Sequence, residues 1–138
     1  MNTQLLFSIS WRVLFLITLG ACSKSNDKTS TLPVIDGQWR ITYYWDRDQE
    51  ETNKYTGYTF DFQTNDLIEV LVNGVQSTGT WLQGTDDSTN KLILTFTSNP
   101  LSELNEDWHV IEQSTTKIRL QHISGGDGHI DYLTFERN

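Results

Sequence analysis

The chain has 138 residues, of which 36% are hydrophobic and 20% charged. That is the makeup of one globular domain, neither disordered nor collagen-like. Ten Lys and Arg stand against 18 Asp and Glu, a formal net charge of −8. This balance argues against binding to a nucleic-acid backbone, where a basic face supplies most of the affinity, and against adhesion to anionic lipid through a polybasic patch. A single cysteine permits neither an internal disulfide nor a zinc site built on several thiolates.

The first element in chain order is a leader. Val13 to Leu19 form a short apolar core preceded by Arg12, with Leu5-Leu6-Phe7 upstream. The uninterrupted apolar run is shorter than the ~20 residues a membrane-spanning helix needs, and small residues follow it, as in a signal peptide occupying residues 1–21. Leu19-Gly20-Ala21-Cys22 resembles the bacterial lipobox, in which a peptidase cuts before a cysteine whose thiol carries diacylglycerol. The resemblance implies lipidation at Cys22 and attachment to a membrane without crossing it. It also implies a place in the bacterial cell envelope, at the outer membrane, on its periplasmic or surface face. Loss of Arg12 with the leader takes the charge from −8 to −9. Residues 22–35 comprise the lipidated cysteine and a flexible tether, polar and without periodicity from Ser23 to Thr31.

Residues 36–138 read as strands, because apolar side chains alternate with polar ones. Trp39, Ile41, Tyr43 and Trp45 share one face of the first strand, and Tyr58, Phe60 and Phe62 one face of the second. Leu67–Val72 is apolar on both faces. Asn73-Gly74 then supplies a two-residue hairpin turn with positive φ, and Val75–Gln83 returns. The polar run Gly84–Asn90 is expected to be a loop before a strand carrying Leu92, Leu94 and Phe96. Strands around Trp108–Glu112, Ile118–His122 and Ile130–Glu136 complete eight. Two longer connections stand out, an acidic loop from Asp46 to Thr56 and Ser98–Asp107, which has room for one helical turn. Eight sequential antiparallel strands hide their edges by closing into an up-and-down barrel; a two-sheet sandwich is the alternative.

Gly37-Gln38-Trp39-Arg40-Ile41, with Gly79-Thr80-Trp81 in the fourth strand and the closing Asp131-Tyr132-Leu133-Thr134-Phe135, resembles the lipocalin superfamily, and more closely the small lipocalin-like lipoproteins of bacteria. The resemblance covers nearly the whole domain. It implies an eight-stranded lipocalin-like barrel in which Gly37 and Trp39 form a structural plug at the closed end. An arginine would pack across Trp39, and either Arg137 or Arg119 fits that role. It further implies a non-enzymatic protein holding a small hydrophobic ligand in the opposite mouth.

The expected ligand-binding residues are Tyr43, Trp45, Tyr58, Phe60, Phe62 and Phe96, because aromatic rings offer a large apolar surface. The same rings could instead fill the barrel, leaving a protein–protein or accessory module of an envelope complex that contacts its partner through the two long loops. Tyr44, Trp45 and Tyr55 would then be exposed. No nucleophile elbow, phosphate-cradling loop or HExxH motif is present, so no catalytic residue is assigned. His109, His122 and His129 form no close pair, and neither Asp127/His129/Asp131 nor Asp46/Asp48/Glu50/Glu51 makes a persuasive ligand set. No metal or cofactor is expected.

Overall fold

A computed structural model describes residues 35–138; the leader, Cys22 and most of the tether lie outside the described residues. Nine strands follow in chain order: β1 (Gly37–Asp46), β2 (Gln49–Glu50), β3 (Thr59–Phe62), β4 (Leu67–Val72), β5 (Val75–Asp86), β6 (Thr89–Thr95), β7 (Asp107–Gln113), β8 (Lys117–Ile123) and β9 (Ile130–Arg137). Every neighbouring pair is antiparallel, and β9 pairs back onto β1, so all but the two-residue β2 close an eight-stranded barrel. Helix is confined, among the described residues, to two single 3₁₀ turns, Thr52–Tyr55 and Leu101–Leu104.

Alternation places Trp39 and Ile41, Phe60 and Phe62, Ile68 and Val70, Leu92 and Leu94, Ile118 and Leu120, and Leu133 and Phe135 inside. The ambiguous strand β4 is thereby resolved, with Leu71 turned to solvent. Three local features depart from the sequence reading. First, register slips between Ile41 and Tyr43 on β1 against β9. This bulge inserts one residue and exchanges the faces beyond it. Tyr44 therefore enters the core, whereas Tyr43 points outward and is 37% exposed.

Second, the polar run Gly84–Asn90 is not a loop. Strand β5 continues to Asp86 and β6 starts at Thr89, around a turn of only Asp87 (φ 45°) and Ser88 (φ 67°). Two successive positive φ values match the twist of a tight hairpin; the exposed polar side chains masked the strand. Third, the acidic loop begins as another tight hairpin, with Arg47 (φ 45°) and Asp48 (φ 67°) joining β1 to β2. It then folds into the first 3₁₀ turn, where Thr52 Oγ1 accepts the Tyr44 N–H at 2.9 Å.

The closed end is built around Trp39, which is fully buried. The Arg137 guanidinium lies 4.7 Å from the Trp39 ring centre, a cation–π contact, and its Nε donates to Thr115 O at 2.8 Å. Gly37, at φ 84°, passes directly beneath that guanidinium, where a Cβ would come within 2.9 Å of Nη1. Arg119 is on the outer surface, paired with Glu112 at 3.3 Å, so the arginine that packs on Trp39 is Arg137.

Candidate functional site

A continuous chain of aromatic side chains runs through the interior. Rings run in contact from Tyr44 to Tyr55 (5.4 Å between centres), Tyr58 (5.8 Å), Phe60 (6.3 Å) and on to Phe96 and Phe135 (6.4 and 5.3 Å). Phe135 meets Phe62 at 5.6 Å, and Phe62 meets Trp81 at 5.6 Å. Most of these contacts are edge-to-face, each worth about 0.5–1.5 kcal/mol beyond the area buried. Of the residues expected to bind ligand, Phe60, Phe62 and Phe96 are buried in this chain of rings, and Tyr58, between Tyr55 and Phe60, is half-buried. Tyr43 and Trp45 lie on the other side of the barrel wall. The six do not converge on one site.

The mouth opposite Trp39 is covered. Leu101 and Leu104 of the second 3₁₀ turn are buried, as is Tyr55 of the first, and the two connections are fastened together. The Tyr44 hydroxyl donates to Glu103 O at 3.1 Å and the Tyr55 hydroxyl to Pro100 O at 3.0 Å. Lys54 Nζ bridges Glu51 and Glu103, the latter at 2.8 Å. The loops expected to be open contact surfaces are thus a lid, and Tyr44 and Tyr55, expected at the surface in the protein-binding alternative, are core residues. The sequence signal for this was weak, because the partners of both hydroxyls lie more than forty positions away.

The lid has a pH signature. Burial, reinforced by nearby carboxylates, pushes the phenols of Tyr44 and Tyr55 above their ordinary value of 10.0. Unfolded tyrosines ionise near pH 10 while these two stay protonated, so the folded state binds more protons and stability falls as pH rises. We expect a loss of about 1.4 kcal/mol per pH unit for each tyrosine above pH 10. Urea midpoints measured from pH 9 to 11 check this, and Tyr44→Phe with Tyr55→Phe should flatten the profile.

The outer wall carries a groove of its own. Strand β7 is bulged between Val110 and Glu112, as β1 is between Ile41 and Tyr43. Between the two irregularities lies a groove of about 330 Å³ lined by Tyr43, Ile111, Arg119, Leu120, Tyr132 and Thr134. Bulges re-aim side chains and are over-represented beside functional sites. Register extends the apolar character toward the mouth: Trp45 stands opposite Tyr132, and Ile123, 50% exposed, stands opposite Ile130, 39% exposed. Sequence reasoning named both Tyr43 and Trp45 but placed Tyr43 in the interior and Trp45 at the mouth. It missed Tyr132 and Ile111, which join them only through the β1–β9 closure and the β7 bulge.

Two of the histidines, His122 and His129, stand beside carboxylates. His129 takes a separate carboxylate on each nitrogen, Asp48 at 3.5 Å and Asp127 at 3.6 Å, while Asp131 Oδ1 accepts the Arg47 N–H. His122 faces Glu106 and Asp107 from one nitrogen, both at 3.5 Å.

No protein-family model matches the chain, and no curated protein matches it. Among solved structures, it is similar to a DUF4847-family protein from Bacteroides vulgatus ATCC 8482. The two are 15% identical with a TM-score of 0.49, over 75% of this chain and 93% of that one. The likeness is too distant to give this chain a family or a role.

Proposed function

We propose that the protein is a non-enzymatic binding module of the bacterial cell envelope, tethered through a lipidated Cys22. Its ring-filled barrel serves as a scaffold, and the outward face of β1, β9, β8 and β7 is the contact surface for a protein partner. The observation that carries this reading is the division of the aromatic side chains. The inner set packs ring to ring under a fastened lid, while Tyr43 and Tyr132 line an accessible groove on the outer wall. Tyr, Trp and Arg are the residue types that dominate binding energy at protein interfaces, and Tyr43, Trp45, Tyr132 and Arg119 lie together here. The net charge of −8 disfavours an anionic membrane as the occupant of this face.

The expected small hydrophobic ligand in the mouth is the second reading. It rests on the lid, whose Lys54 bridge is exposed and therefore worth no more than about 1 kcal/mol, so the lid would have to open to admit a ligand.

A photoreactive phenylalanine analogue placed at Trp45 in the lipid-anchored protein, in intact cells, should yield one adduct of discrete mass. The same analogue at Val75, 63% exposed on the hairpin between β4 and β5, should yield none. Trp45→Ala should weaken the isolated complex about thirtyfold, the effect of losing a residue worth 2 kcal/mol at an interface. Equal adducts from both positions, or an affinity unchanged by Trp45→Ala, would remove this face from the function.

A further inference from the structure

We propose that Glu106, Asp107 and His122 form a binding site for a divalent transition-metal cation of the Zn²⁺ class. The three come from two adjacent strand ends: Glu106 just before β7, Asp107 at its start and His122 near the end of β8. One ligand atom from each lies within 4.8 Å of the others. What separates this cluster from an ordinary acidic patch is convergence on a single nitrogen. His122 Nδ1 is 3.5 Å from Glu106 Oε2 and 3.5 Å from Asp107 Oδ1, so one ion at their centre would meet all three donors. His129 has two carboxylate neighbours as well, but on opposite nitrogens, an arrangement that makes two ion pairs and no common centre.

The donors are also held in place. The His122 ring packs edge-on against Trp108, with 6.1 Å between centres, and Trp108 is itself buried, its Nε1 donating to Leu104 O at 3.0 Å. Lys91 from β6 takes the other oxygen of Asp107, Oδ2, at 2.8 Å, which leaves Oδ1 turned toward the imidazole. Such a supporting contact to a ligating carboxylate orients the ligand. The backbone of Glu106 is fixed through its carbonyl, which accepts the Leu94 N–H at 3.3 Å. Lys91 also reaches Asp86 at 3.1 Å, so its charge is divided between two carboxylates. Three carboxylates, Glu106, Asp107 and Asp86, against the one ammonium of Lys91 leave excess negative charge here. An imidazole nitrogen with two carboxylate oxygens suits Zn²⁺ and its neighbours, whereas Ca²⁺ and Mg²⁺ prefer oxygen alone. The sequence does not reveal the site because His122 lies fifteen or more positions from the Glu106-Asp107 pair and meets it only through the β7–β8 register.

The test uses the chain from Ser23, which retains every residue of the closed barrel and lacks the competing thiol of Cys22. Zn²⁺ titrated calorimetrically at pH 7.5 should bind with a stoichiometry of one, and Co²⁺ should give a visible absorption band on the same protein. His122→Ala and Glu106→Gln should each weaken Zn²⁺ at least tenfold, whereas His129→Ala should leave it unchanged. The Glu106 side chain is 42% exposed, so its variant keeps the test informative if His122→Ala disturbs the packing on Trp108. Absence of saturable binding, an affinity untouched by both His122→Ala and Glu106→Gln, or loss of binding in His129→Ala would overturn the proposal.

Discussion

Gly79→Val is expected to destabilise the protein by about 3 kcal/mol, the upper part of the range for overpacking a core. Gly79 faces inward on β5, and the Phe96 ring lies against it. A Cβ there would come within 2.3 Å of Phe96 Cδ1 and 2.7 Å of Thr95 O. The second contact is backbone of the paired strand and cannot swing aside. Nor can Phe96 retreat, because Asn105 clamps its main chain from both sides. The Phe96 N–H donates to Asn105 Oδ1 at 2.6 Å, and Asn105 Nδ2 donates to Phe96 O at 2.8 Å. The urea midpoint should fall accordingly; a change below about 1 kcal/mol would mean that Phe96 is free to leave the interior.

Phe60→Ala should cost about 3–5 kcal/mol, as for a buried phenylalanine removed from a core that only partly relaxes. Phe60 is fully buried and touches Tyr58, Phe96 and Phe135, so its loss opens a hole at the junction of the ring chain. This separates the two uses of the same residue. A ring lining an empty cup would have lost few neighbours and would be cheap to truncate; a ring filling the barrel is expensive. Equilibrium unfolding in urea gives the answer, with an unchanged slope showing that the native state stays compact.

Both predictions rest on a fold that was largely legible in the sequence, since alternation locates every barrel strand and Asn73-Gly74 marks a tight hairpin. The Trp39 plug was legible too, although only the structure chooses Arg137 over Arg119. The illegible parts have a common cause in geometry that a single strand does not encode. One inserted residue on β1 exchanges Tyr43 and Tyr44 between outside and inside, and period-two reasoning cannot see an insertion. Tyr55 looks like a polar-loop tyrosine until the Pro100 carbonyl arrives from forty-five positions away. Asp87-Ser88 has the composition of a loop and the backbone of a hairpin. The outer groove needs the β1–β9 closure to bring Tyr132 to Trp45, a pairing between the two ends of the domain.

The most direct test of a filled, lidded barrel is native mass spectrometry of the chain from Ser23, purified from a bacterial periplasm without detergent and then exposed to a lipid and metabolite extract. The packing of Tyr44, Tyr55, Phe60, Phe96 and Phe135 predicts the bare polypeptide mass before and after exposure. A discrete added mass that Phe60→Ala displaces would contradict it and return the function to the interior of the barrel.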